Sequence, residues 1–185
     1  MKLNLGCGFR KLPGFLNVDK APACHPDVLF DVELPAWPWK DSSVDEVLFN
    51  HSLEHMGATP VCFLGIIREL YRVCSPQARI VINVPHSRHD NFIIDPTHVR
   101  AITPGMLSLF DLRKNEEWLD GGFANTPLAV YVGVDFVVET ATVILTPEYD
   151  RKFVRGEITN ESLQPLLAER NNVATEYRIV LRARK

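Results

Sequence analysis

Two glycines separated by one residue, Gly6 and Gly8, follow the short apolar run Leu3-Asn4-Leu5. Residues without a Cβ let a turn come close to a ligand at the carboxyl end of a strand. Alone, the same spacing describes an ordinary tight turn. Downstream, Asp19 closes Phe15-Leu16-Asn17-Val18, Asp31 closes Val28-Leu29-Phe30, and Asn50-His51 closes Val44 to Phe49. A carboxylate at Asp19 can accept both hydroxyls of a ribose, and Asp31 falls within reach of an adenine or its ribose. Polar residues at four successive strand ends form the rim of the crevice where open α/β sheets bind ligands.

The histidines supply candidate proton carriers. His51 and His55 flank the end of the fourth strand. His98 lies in Asp95-Pro96-Thr97-His98, a segment after the fifth strand that can roof a pocket. Asp95 can orient His98, although Asp before Pro is also a common turn pairing. His55 equally suits a structural hydrogen bond or a helix cap. His86, His89, Asp90, Asp95 and His98 are metal-ligating types, but their spacing fits no regular ligand pattern, and no metal is expected.

The glycine turn lacks phosphate machinery. A dinucleotide fingerprint places a third glycine where Lys11 stands and an acidic residue about 20 residues on, and Asp19 comes too early. No Gly-Lys-Ser/Thr follows. A nicotinamide-dependent enzyme is therefore disfavoured, and an adenosine ligand without phosphates is favoured.

These groups need a scaffold. Lys2 to Leu5 reads as the first strand. Thr59-Pro60 can cap a helix in which Phe63, Ile67, Leu70, Tyr71 and Cys74 recur at steps of three and four. Arg79 to Val84 is nearly unbroken apolar, which suits a strand covered on both faces. Pro35-Ala36-Trp37-Pro38-Trp39 reads as a loop with aromatic anchors. Thr103-Pro104 can cap a helix through Phe110. Leu128 to Val134 and Phe136 to Leu145 read as one long strand or a hairpin, Glu161 to Arg170 as a short helix, and Tyr177 to Ala183 as a half-exposed strand. Arg178, Arg182, Arg184 and Lys185 read as a solvated face. Glu148 to Asn160 is an insertion between late strands. Strands alternating with helical or loop connections argue for an α/β layered domain spanning 1–185.

The chain has 185 residues, 46% hydrophobic and 23% charged, which are ordinary globular proportions. Net charge is -3, so nothing draws the chain generally toward nucleic acid or anionic membrane. The opening residues show no signal-peptide pattern, and no apolar run reaches membrane-span length. Four cysteines without a CxxC pair suit a reducing compartment. A cytoplasmic chain is expected.

Taken jointly, several segments carry a resemblance. Leu3-Asn4-Leu5-Gly6-Cys7-Gly8 and Leu12-Pro13-Gly14-Phe15-Leu16-Asn17-Val18-Asp19 resemble the start of class I S-adenosylmethionine-dependent methyltransferases, the type 11-like subgroup in particular. Asp41 to Val47, His51-Ser52-Leu53-Glu54-His55-Met56 and Glu69 to Val73 resemble the regions that follow, so the likeness spans residues 1 to about 110. It implies a Rossmann-like doubly wound sheet of about seven strands, mostly parallel with an antiparallel last strand. It implies S-adenosylmethionine as cofactor, with the methionine moiety over Gly6, Cys7 and Gly8, the ribose on Asp19, the adenine near Asp31-Val32, and Asn50 and His51 in contact. His98 or His55 becomes the candidate base, with Asp95 behind it. Two departures stand out. Asn4 replaces the usual acidic residue two places before the first glycine. Only six residues separate Gly8 from Phe15, so the first helix of the fold is reduced. The expected acceptor is a small molecule or glycan-type hydroxyl, nucleic acid being disfavoured. The competing expectation is a non-catalytic module that binds adenosine ligands.

Overall fold

The computed structural model describes residues 1–185. The chain runs through β1 (Lys2–Leu5), β2 (Leu16–Asp19), β3 (Val28–Leu29) and β4 (Val44–Asn50), then α1 (Pro60–Val73) and β5 (Cys74–Pro85). Four short helices follow: α2 (Asp90–Ile93), α3 (Pro104–Leu107), α4 (Leu112–Asp120) and α5 (Leu128–Val132). Next come β6 (Phe136–Leu145), α6 (Pro147–Val154), α7 (Asn160–Glu169) and β7 (Ala174–Ala183). The seven strands form one sheet in the order β3-β2-β1-β4-β5-β7-β6. β7 runs antiparallel between β5 and β6, and the pairs from β3 to β5 are parallel. This is a Rossmann-like α/β sheet. No helix is long and apolar enough to cross a membrane.

Local chemistry accounts for α1. The Thr59 hydroxyl accepts the Cys62 N–H at 3.3 Å, and Pro60 occupies the first turn, where a missing N–H costs nothing. Phe63, Ile66, Ile67, Leu70 and Val73 form its buried stripe. They meet Val47, Phe49, Ile80, Ile82, Ile179 and Leu181 in one continuous core. The tryptophan loop packs onto that core as expected, with Trp37 donating its indole N–H to the Val32 carbonyl at 3.0 Å.

Several segments differ from the sequence expectation. Leu128 to Val132 is helical, closed by Gly133 in the left-handed conformation. Its start is held from outside: buried Asn115 accepts the Ala129 N–H at 2.9 Å and donates to the Leu109 and Asp111 carbonyls. A tertiary partner therefore overrides the β-branched pattern. The insertion after β6 contains α6. Arg184 is half-buried, whereas Lys185 is exposed as expected and only its ammonium is engaged. Arg184 is paired with Asp111 and Asp135, and Lys185 donates to the Arg72 carbonyl at 3.0 Å. β5 is covered on one face, since Ile80, Ile82 and Val84 are buried while Arg79, Val81 and Asn83 are half-exposed. Ion pairs cross that second face, with Glu46 between Lys2 at 2.8 Å and Arg79 at 2.9 Å.

The reduced first crossover explains this asymmetry. The connections before and after β2 carry no α-helix, so the β1–β2 corner is sealed by a loop instead. A loop lying on a sheet brings backbone polar groups that need partners. Asn4 and Asn17, directly paired in register, provide them. Asn17 accepts the Leu12 N–H at 2.8 Å and the Asn4 amide at 2.9 Å, and donates to the Leu12 and Phe15 carbonyls and to Asp27. Asn4 donates also to the Arg10 carbonyl at 3.0 Å. Asp27 is held down to about 2 by the Lys11 ammonium and by Asn17. Asn17→Ala leaves several of these groups unmatched and should lower stability by about 2–4 kcal/mol. Urea unfolding checks this; a loss under about 0.5 kcal/mol would show that water replaces the network.

Candidate active site

The strand order reverses between β1 and β4, where open α/β sheets bind ligands beyond the carboxyl ends of their strands. A cleft of about 260 Å³ lies there, lined by the ends of β1 to β4 and the turn after β4. Gly6 (φ 68°) makes the turn possible. A Cβ at Gly6 would stand 2.6 Å from the Ser52 Cβ and 2.9 Å from the Met56 Cε. Ser52 is drawn in by donating its hydroxyl to the Leu5 carbonyl at 2.8 Å. Gly8 (φ 51°) faces open space, so its requirement is conformational.

Asp19 stands at the end of β2 and holds this turn. Its two oxygens accept the Gly8 and Ala21 N–H groups, each at 2.8 Å. A carboxylate offers about four acceptor sites, so sites remain for a ligand's hydroxyls. Asp31 accepts the Glu33 N–H at 3.0 Å and, with Phe30 and Val32, forms the wall beyond β3. Lys20 and Glu33 complete the acidic end. Gly6, Gly8, Asp19, Asp31, Val32, His51 and His55 thus share one cleft. Asn4, Cys7 and Asn50 are placed elsewhere. Asn4 points into the polar network under the β1–β2 corner. Cys7 is buried, its backbone donating to the Val18 carbonyl at 3.0 Å, and burial pushes its thiol up. Asn50 accepts the Asn83 amide at 3.0 Å.

The opposite wall rises from the single 3-10 turn Leu53–His55. The Glu54 carbonyl accepts the Val99 N–H at 2.9 Å and the Arg100 N–H at 3.3 Å, which draws the segment after β5 against the turn. His98 is thereby packed on His55, ring centroids 4.5 Å apart, with its side chain only 6% exposed. Its Nδ1 meets the Phe92 carbonyl at 2.8 Å. Asp95 does not contact His98 as its direct orienter, the nearest approach being 3.8 Å. It accepts the Thr97 hydroxyl at 2.6 Å, and the Thr97 oxygen in turn meets His55 Nδ1 at 2.8 Å. The relay runs from Asp95 through Thr97 to His55. The Thr97 bonds hold the Asp95 carboxyl below its usual range, while burial and the neighbouring His98 push His55 down.

The residue that sequence reasoning missed is Glu54. Its side chain is 1% exposed, and both oxygens lack a hydrogen-bond partner. Oε1 lies 3.9 Å from His98 Nε2 and 3.7 Å from His51 Nδ1. Burial pushes its carboxyl up to about 7. The only signal was a carboxylate beside a strand-end histidine, and a glutamate is rarely so buried. His86 and His89 take structural places, His86 against the Tyr177 ring and His89 capping the Asn91 N–H.

Comparison with solved structures agrees with this topology. No protein-family model matches the sequence, and no curated protein matches it. A S-adenosylmethionine-dependent methyltransferase from Archaeoglobus fulgidus superposes with a TM-score of 0.60 at 20% identity, over 98% of this chain and 85% of that one. One from Methanosarcina mazei gives 0.55 at 14% identity, over 99% and 92%. The [4+2]-cyclase SpnF also gives 0.55, at 13% identity, over 99% and 74%. The chain has the class I S-adenosylmethionine-dependent methyltransferase fold.

Burial of Glu54 makes stability pH-dependent. The raised carboxyl favours the native state fully below pH 4.5, and this contribution is lost as pH rises through about 7. Glu54→Gln removes it. In chelator-treated buffer the variant should gain roughly 2–3 kcal/mol on wild type between pH 4.5 and 8. Urea unfolding at both pH values measures this, and an unchanged difference would refute the burial effect.

Proposed function

We propose that the chain is a S-adenosylmethionine-dependent methyltransferase acting on a small-molecule or glycan-type acceptor. One observation supports it above the others: the cleft at the strand-order reversal brings the glycine turn, two strand-end aspartates and His55 around one space. Three carboxylates, Asp19, Asp31 and Glu33, face one ammonium, Lys20, in that cleft. Such a field suits a cationic nucleoside and opposes a diphosphate.

When bound, the cofactor supplies an activated methyl group on a sulfonium for in-line displacement. The residues hold and orient it. Asp19 would take the ribose hydroxyls, Phe30, Asp31 and Val32 would hold the adenine, and Gly6 and Gly8 would leave room for the methionine portion. Asn4 is engaged under the sheet, so the cofactor's ammonium relies on the cleft carboxylates. His55 presents Nε2 to the acceptor hydroxyl and takes its proton, while His98 supports its ring from behind. The net charge of -3 argues against a nucleic-acid acceptor. All four cysteines are free, as a reducing compartment keeps them, and we place the chain in the cytoplasm on that ground.

A second reading is a binding module for adenosine ligands without transfer. The engagement of Asn4 favours it, and a protein named as a cyclase shares the fold. Calorimetry with S-adenosylmethionine and S-adenosylhomocysteine tests what both readings share, with micromolar binding expected. Asp19→Asn sets a donor against one of the two clamped amides as well as removing an acceptor, and should weaken binding by at least about tenfold. His55→Ala should leave binding nearly unchanged and abolish turnover on an acceptor panel. Binding without turnover on any acceptor selects the module, and absence of binding at millimolar concentration ends both readings.

A further inference from the structure

Glu54, His55 and His98 come from two segments 43 residues apart, and their ligand atoms all lie within 4.8 Å of one another. We propose that these three side chains form a binding site for one divalent transition-metal ion of the zinc or iron(II) class.

Three independent features point to an ion. The first is the carboxylate itself. Glu54 is 1% exposed, and neither oxygen has a hydrogen-bond partner beyond the approach of its own backbone N–H. A buried carboxylate ordinarily finds a cation or a set of donors. No lysine or arginine pairs with it, and its nearest charged-type neighbours are the imidazoles of His51 and His98.

The second is the state of the two imidazoles. The Thr97 hydroxyl gives its proton to Asp95 at 2.6 Å. Its oxygen can therefore only accept from His55, so the proton of neutral His55 sits on Nδ1 and Nε2 carries the lone pair. His98 Nδ1 faces the Phe92 carbonyl at 2.8 Å, an acceptor that also requires a proton on Nδ1. In their neutral form both rings thus carry the lone pair on Nε2, and that of His98 faces two carboxylates, Glu54 Oε1 at 3.9 Å and Asp95 Oδ2 at 3.8 Å, which an ion would hold together. Outer partners of this kind, a backbone carbonyl and a carboxylate relay, fix metal-binding histidines in tautomer and orientation.

The third is ligand type and spacing. Two imidazoles and one carboxylate make a three-ligand site with a position left open, a set used by zinc and iron(II) centres. Ligands at ~2.0–2.2 Å from a tetrahedral ion stand roughly 3.3–3.6 Å apart. The 3.9 Å pair is already near that spacing, and the rest need side-chain adjustments of about 1 Å. Magnesium, which prefers an octahedral oxygen shell, suits this set poorly.

His55 also lines the cleft and His98 does not, so the open position faces the cleft. There it would hold an oxygen of the acceptor, and His55 would reach the acceptor through the ion instead of as a free base. Only that last role rests on methyl transfer; the ion site does not.

The test uses the full chain, stripped with chelator and without nucleoside. Cobalt(II) chloride should bind at one ion per chain with intensified visible d–d bands, and zinc chloride should displace it while magnesium chloride should not. Both signals should weaken at least tenfold in Glu54→Gln and in His98→Gln, with far-UV circular dichroism unchanged. Glu54→Gln removes a buried charge and is expected to fold; should His98→Gln fail to fold, Glu54→Gln and His55→Gln decide. Absence of one-to-one binding overturns the site, as does binding undiminished in these variants or equal competition by magnesium. Nucleoside calorimetry on the stripped protein reports separately on the methyltransferase reading.

Discussion

Six residues between Gly8 and Phe15 cannot hold the helix that a parallel crossover normally supplies, and much of the architecture answers to that shortage. A helix would satisfy its own backbone and cover the sheet with apolar side chains. A loop does neither. The β1–β2 corner therefore carries two buried asparagines where apolar residues would otherwise sit, and Asn17 alone serves Leu12, Phe15, Asp27 and Asn4. The same network occupies Asn4, which removes it from the ligand side of the turn. Beyond the corner the uncovered face of β4, β5 and β7 is half-exposed, with the row Leu48, Val81 and Val180 flanked by ion pairs such as Glu46–Arg79. Pairs this exposed add little stability, so the fold depends on the single core between the sheet and α1 with the helices after β5.

The cleft inherits its shape from that arrangement. β1 and β2 end in backbone held by Asp19, and β4 ends in a turn whose Ser52 and Met56 press against Gly6. The lining of the cleft and its structural support are thus joined in the same residues. Asp19 clamps the Gly8 and Ala21 amides and still keeps acceptor capacity for a sugar.

Glu54 has two separate effects. Its backbone carbonyl captures the Val99 and Arg100 amides, which packs His98 behind His55. Its side chain, sealed below, leaves an unmatched negative group beneath His51, His55 and His98. A buried unpaired carboxylate is costly, and such costs concentrate at functional sites. The relay from Asp95 through Thr97 joins His55 to the segment after β5. Together they make the region behind the far wall of the cleft one of the fold's buried polar centres.

The strand ends, the capped α1 and the glycine turn were legible because each rests on local rules: backbone freedom at glycine, N-capping at Thr59-Pro60, and apolar periodicity. Net charge and the missing third glycine likewise restricted the ligand class without any coordinates. The helical state of Leu128 to Val132 was hidden, since Asn115 imposes it from a distant segment. So was the uncovered face of β5, which depends on helices absent elsewhere in the chain. The pairing of Asp95 with Thr97, and of Thr97 with His55, could not be read from the order Asp95-Pro96-Thr97-His98, which suggests a direct Asp95–His98 contact. Local sequence determined which residues could reach the rim of the sheet, because side-chain type and chain direction act over a few residues. Only the tertiary structure decided that Glu54 and His98, 44 positions apart, would meet in the dark of the core, because that meeting depends on long-range backbone hydrogen bonds and on burial.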